Sequence, residues 1–84
     1  MAKYRKRPIV IEAEQWFHGK HVEGVIVQMF ETENGTQTQL GSYVETLQGP
    51  VTVFNGDWII NGLNGEKYSC NPKIFEQVYE KVEG

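Results

Sequence analysis

The chain has 84 residues, a net charge of −3 and a mean hydropathy of −0.46, which is room for one domain (residues 1–84) and not two. At 39% apolar and 23% charged it has too much apolar content for a disordered tail. No apolar run nears the roughly 20 residues of a membrane helix, and Ile9-Val10-Ile11 is broken at once by Glu12, too short for a signal-peptide core; a cytosolic protein is expected.

A chain of this size buries only about 60% of its unfolded surface, so each large apolar side chain counts. There are ten aromatics to supply that burial. The single cysteine, Cys70, excludes an internal disulfide and a multi-Cys zinc site, and with only His18 and His21 besides, no metal or cofactor is expected. Charge is unevenly spread. Lys3, Arg5, Lys6 and Arg7 form a basic segment (residues 1–7), leaving four positive charges against eleven carboxylates, a balance of −7. That division argues against a nucleic-acid binder with a broad basic face, though a basic arm could still meet one phosphate or one acidic partner.

In chain order, Pro8 biases Arg7 towards an extended conformation. Ile9 to Phe17 then reads as a first strand, with Ile9, Ile11 and Ala13 on one face and Val10, Glu12, Glu14 and Trp16 on the other. The first face should point to the core, and Val10 and Trp16 should lie under another element or line a groove. His18 to His21 is a polar turn. Val22 to Phe30 is rich in β-branched residues and reads as a strand; a helix would also gather Val22, Ile26 and Met29 or Phe30 on one side, so the alternative stays open. Residues 31–41 are polar around Asn34-Gly35 and read as a loop.

Ser42 to Leu47 and Pro50 to Phe54 read as a hairpin turning at Gln48-Gly49, with Pro50 at a strand's first residue. Trp58-Ile59-Ile60 follows, bracketed by Asn55-Gly56 and Asn61-Gly62, both read as turns. Trp58 and Ile60 fall on one face and Ile59 on the other, so this is expected to be the central strand, with Trp58 at the centre of the core. Asn64-Gly65 is the strongest hairpin signal, wanting positive φ at both turn positions, and Glu66 to Cys70 is the partner strand. Asn71-Pro72 opens a helix. Either it continues, with Ile74, Phe75, Val78 and Tyr79 on its buried side, or it makes one turn and Gln77 to Val82 forms a last strand; the second is preferred. Four Asn-Gly pairs mean repeated tight reversals. The predicted fold is α+β but mostly β: a small antiparallel sheet or partly open barrel of five to seven short strands, with one short helix near Pro72-Glu76.

Two blocks stand out together. One is Lys3-Tyr4-Arg5-Lys6-Arg7-Pro8-Ile9-Val10-Ile11-Glu12-Ala13 with Gln15-Trp16. The other runs from Val44-Glu45-Thr46-Leu47 through Gly56-Asp57-Trp58-Ile59-Ile60, Gly62, Gly65-Glu66, Tyr68, Cys70, Pro72, Ile74-Phe75-Glu76 and Tyr79-Glu80. Together they resemble a family of small proteins of tailed bacteriophages and prophages, over well more than half the chain. Residues 18–41 lie where such proteins vary most in length, and the cysteines that look like a metal knuckle in some of them are lacking here. The resemblance implies a phage origin and a bacterial host cytoplasm. It implies no reaction, for the family has no activity to carry over.

Candidate chemistry is thin. Asp57 in its turn could be a base or cation ligand, but an Asp there usually accepts backbone N–H bonds. Glu12 and Glu14 lie on one strand face without a partnering His. His18 and His21 could ligate a metal only with help from elsewhere. Cys70 precedes a helix N-terminus, which can lower a thiol pKa, but no His follows to serve as its base. No phosphate loop or nucleophile elbow is present. Aromatics with arginine nearby make recognition patches, which selects Arg5, Arg7, Trp16, Tyr43 and Tyr68 as tentative binding residues; a two-sided core or a dimer seam would use the rings as well. The expected function is a non-enzymatic phage accessory protein that binds a host macromolecule or another copy of itself. The alternative is sequestration of a small, nucleotide-like anionic signal, and a weaker one is a minor enzyme using Asp57 or Cys70.

Overall fold

The computed structural model describes residues 1–5 and 9–82. Six strands and one helix follow in the order β1 (Glu12–Gln15), β2 (Val25–Glu31), β3 (Gln37–Thr46), β4 (Gly49–Thr52), β5 (Trp58–Asn61), β6 (Lys67–Cys70) and α1 (Pro72–Val78). They make two three-stranded antiparallel sheets, ordered β1-β5-β6 and β2-β3-β4. The fold is mostly β with one short helix, as expected, and the two sheets do not close into a barrel. The bias of Arg7 ahead of Pro8 lies outside the described residues.

The segment Val22 to Phe30 contributes a strand, not a helix. The polar stretch 31–41, however, is not a loop. Gln37–Gly41 is the first half of β3, and the reversal is confined to Thr32–Thr36. Thr and Gln pair across a ladder as readily as apolar residues when both faces of a projecting hairpin meet water, so polarity misled there. The Thr32 N–H donates to the Thr36 carbonyl (2.8 Å), and the Gly35 N–H donates to the Thr32 carbonyl (2.9 Å). Gly62 to Glu66 repeats this geometry, with Gly62 N–H to the Glu66 carbonyl (2.7 Å) and Gly65 N–H to the Gly62 carbonyl (3.2 Å). Both are turns ending in a left-handed glycine, Gly35 at φ 77° and Gly65 at φ 82°. Among the described residues only glycines have positive φ, so Asn64 does not take the positive value expected of it, and the Asn61-Gly62 turn is the upstream end of this same reversal. Gly65→Val forces a β-branched residue into that region with open space around its Cβ. The expected loss is therefore strain alone, about 1–3 kcal/mol, read from the urea midpoint; an unchanged midpoint would misplace the turn.

Strand β5 is central in its sheet, and its side chains alternate between two environments. Ile59 joins Trp16, Val22, Val44 and Val53 in the cluster between the sheets, with Val25 packed against it. Ile60 is equally buried but belongs to the other face, towards α1. Trp58 shares that face and is only half-buried, so it is not the centre of the core as the sequence suggests. The side chain that holds that place is Trp16, at 1% exposure. The run Ile9–Phe17 is extended over fewer residues than expected, because β1 finds partners only along the four residues of β5. Ile9 and Val10 are consequently exposed, against the expectation that Ile9 points to the core.

Backbone bonds carry Trp16 past the end of β1. Its N–H donates to the Asp57 carbonyl and its carbonyl accepts from the Gly56 N–H, both at 2.8 Å. The Gln15 amide donates to the Gly56 carbonyl (2.9 Å), and the Asn55 side-chain oxygen accepts from the His18 N–H (2.8 Å). Gln15-Trp16 and Asn55-Gly56-Asp57-Trp58, far apart in sequence, thus form one joint.

Helix α1 begins as predicted, with the Asn71 side chain accepting from the Lys73 N–H (2.9 Å) and Pro72 in the first turn. It runs to Val78 and no strand follows over residues 77–82. Phe75 stacks on Trp58 at 4.2 Å and on Tyr79 at 4.9 Å. That i, i+4 ring pair favours a second helical turn over the predicted strand.

Candidate functional site

The described residues selected from sequence are spread over different elements. Arg5 is exposed, and Arg7 lies outside the described residues. Trp16 is in the core, with His18 edge-on to its ring at 5.0 Å, and has no surface to offer a partner. Tyr43 is half-buried in β3 between Ile26 and Thr52. Tyr68 is half-buried in β6 opposite Ile60, and burial, with Tyr79 beside it, raises its phenol pKa.

Asp57, Cys70 and Glu14, the candidates for chemistry, have the following surroundings. The Asp57 carboxylate is 7% exposed and accepts the Phe54 N–H at 2.9 Å, closing its own turn. Burial, and then the charge of Asp57, raises the Cys70 thiol pKa above its ordinary value. Glu14 pairs with Lys20 at 3.3 Å on the surface, an interaction of small energy. Among the described residues no group of three or more His, Cys, Asp or Glu could hold a metal ion. None of their helices is long and apolar enough to cross a membrane.

Two surfaces remain. The first is the hairpin of β2 and β3. Among the described residues, strand β2 pairs on one side only, with β3, and no strand pairs with its other edge. Ile26 (43% exposed), Val27 (41%), Met29 (50%) and Phe30 (43%) leave apolar side chains open on both of its faces. From Val25 to Phe30 it carries no charge and no proline. Edge strands are ordinarily blunted by one or the other. This surface was not among the residues selected from sequence. Its signal was present, though: a strand apolar on both faces needs covering on both, and no other segment was assigned to cover it.

The second is a groove of about 820 Å³ between residues 9–13, Trp58 and the Phe75–Val82 segment. The stacked rings of Trp58, Phe75 and Tyr79 form its floor. Its charged lining is Glu12, Glu80 and Lys81, two carboxylates against one ammonium, which disfavours an anionic ligand.

No protein-family model, curated protein or solved structure matches the chain.

Proposed function

We propose that this protein is a non-enzymatic binding module whose contact surface is the β2–β3 arm. The observation that carries this reading is the free, uncharged, doubly apolar edge of β2, since exposed apolar patches mark interaction sites. The raised thiol pKa of Cys70 and the structural use of Asp57 weigh against an enzyme. The two sequence blocks that resemble small phage and prophage proteins support a phage-encoded accessory protein working in a bacterial cytoplasm, on a host macromolecule or on its own copies. A second reading, capture of a small planar ligand, has the ring-floored groove in its favour. The excess of carboxylates in that groove points it away from nucleotide-like anions.

Val27→Lys combined with Phe30→Lys places a charge on each face of the arm. The double variant should keep the β-sheet circular dichroism spectrum, because solvent-exposed substitutions usually move stability by only about 0.5 kcal/mol. It should lose association, whether measured as the chain's own mass or as retention of a protein from bacterial cytosol. Association that survives both charges would show that the arm is not the contact surface.

A further inference from the structure

We infer that the occupant of the arm is a second copy of this chain, its β2 paired antiparallel with the first about a two-fold axis at Gln28. The inference rests on the reading of the arm as a contact surface and adds the partner and the register. Such a pairing would join two three-stranded sheets into one of six strands.

The first argument is area. The chain exposes 7202 Å², whereas a folded monomer of 9.6 kDa is expected to expose about 5,100 Å². Its radius of gyration is 16.1 Å against about 12 Å for a compact chain of this length. The excess, roughly 2,100 Å², exceeds the roughly 800 Å² that each partner gives up in an interface of standard size. Ile26, Val27, Met29 and Phe30 of the arm are among the exposed apolar residues, as are Met1, Tyr4 and Val82.

The second argument is the edge itself. The ladder between β2 and β3 is irregular after Gln28, where Gly41 is its partner and Gln39 is the partner of Met29. The extra residue, Leu40, therefore sits in β3, so β2 itself runs from Val25 to Glu31 with no inserted residue on its outer edge, and the irregularity beside Gln28 adds local twist to the pair.

The third is self-complementarity. Centred on Gln28, the pairing sets Ile26 against the partner's Phe30 and Val27 against the partner's Met29. Gln28 meets its own copy, where two side-chain amides can exchange hydrogen bonds. Like faces stay together, as an isologous contact requires, and apolar opposes apolar on both. The one charge in β2, Glu31, falls at opposite ends of the joint ladder. The two copies of it stand six residues apart along the strands, about 20 Å, where repulsion is screened.

The test uses single cysteines in a Cys70→Ser background. Directly opposed residues in an antiparallel pair have Cα atoms about 4.5–5.5 Å apart, within disulfide range. Gln28→Cys should therefore form an intermolecular disulfide on mild oxidation. Ile26→Cys, with its own copy about 13 Å away along the strands, should not, whereas Ile26→Cys with Phe30→Cys should. The wild-type chain should sediment at twice its 9.6 kDa mass. A monomer at about 100 μM would overturn the inference, for that concentration saturates any dimer of micromolar affinity. Equal cross-linking of Gln28→Cys and Ile26→Cys would overturn the register. A monomer that still captures another protein through the arm would overturn only the self-pairing, whereas a dimer indifferent to Val27→Lys and Phe30→Lys would overturn the arm reading as well.

Discussion

Trp16→Ala is expected to remove about 3–5 kcal/mol of stability, most of what a small domain has. Trp16 is 1% exposed and touches the cluster that joins the two sheets, so its removal opens a void between them. Its backbone bonds to Gly56 and Asp57 do not depend on the side chain, so collapse around the void is resisted by the joint that remains. Trp58→Ala should cost less, because that indole is only partly buried and lines the groove, stacked on Phe75. Urea denaturation of the two variants decides the ranking. Iodide should quench Trp58 and spare Trp16 in the native protein. A Trp16→Ala variant that unfolds cooperatively near the wild-type midpoint would remove Trp16 from the core.

Ile59→Ala and Ile60→Ala should each cost about 2–5 kcal/mol, for both are essentially fully buried. They act in separate environments, and that separation is the sharper expectation. Ile59 lies in the cluster with Trp16, whereas Ile60 faces the helix side of the sheet. Milder changes allow a double-mutant cycle. Trp16→Phe with Ile59→Val should be coupled by about 0.5 kcal/mol or more, and Trp16→Phe with Ile60→Val should add within about 0.3–0.5 kcal/mol. Equal coupling in both cycles would mean that β5 does not divide the interior as described.

Much of the architecture could be read from the residues, and the failures have local causes. Asn71-Pro72 fixed the helix start because cap and first-turn chemistry are contained in neighbouring residues. Gly35, Gly49, Gly56 and Gly65 marked reversals because each takes a φ that other residues avoid. Trp58 was mistaken for the core centre because alternation tells which residues share a face but not which face is covered more completely. Trp16 was assigned to a binding surface because it is an aromatic with arginine nearby, on the strand face that also carries Glu12 and Glu14. Only the far-off Gly56-Asp57 segment, bonded to its backbone, carries it inward. The half-buried Tyr43 and Tyr68 were grouped by residue type, and their distribution over two sheets depends on pairings that composition does not contain. The arm was hidden for a related reason: residues 37–41 look like a loop until β2 is there to pair with them.

The position of β1 also sets the order in which the chain can fold. Strands β2, β3 and β4 are joined by short reversals and need only their immediate neighbours. Strand β1 has no partner until β5 arrives, for Glu12 pairs with Asn61 and Gln15 with Trp58. The more than forty intervening residues must therefore be made, and largely folded, before the first strand has anything to hold. On a ribosome β1, which emerges before its partner β5, is among the last strands to be fixed. Until then Trp16 stays outside the core that it completes, and its docking closes the cluster shared by the two sheets.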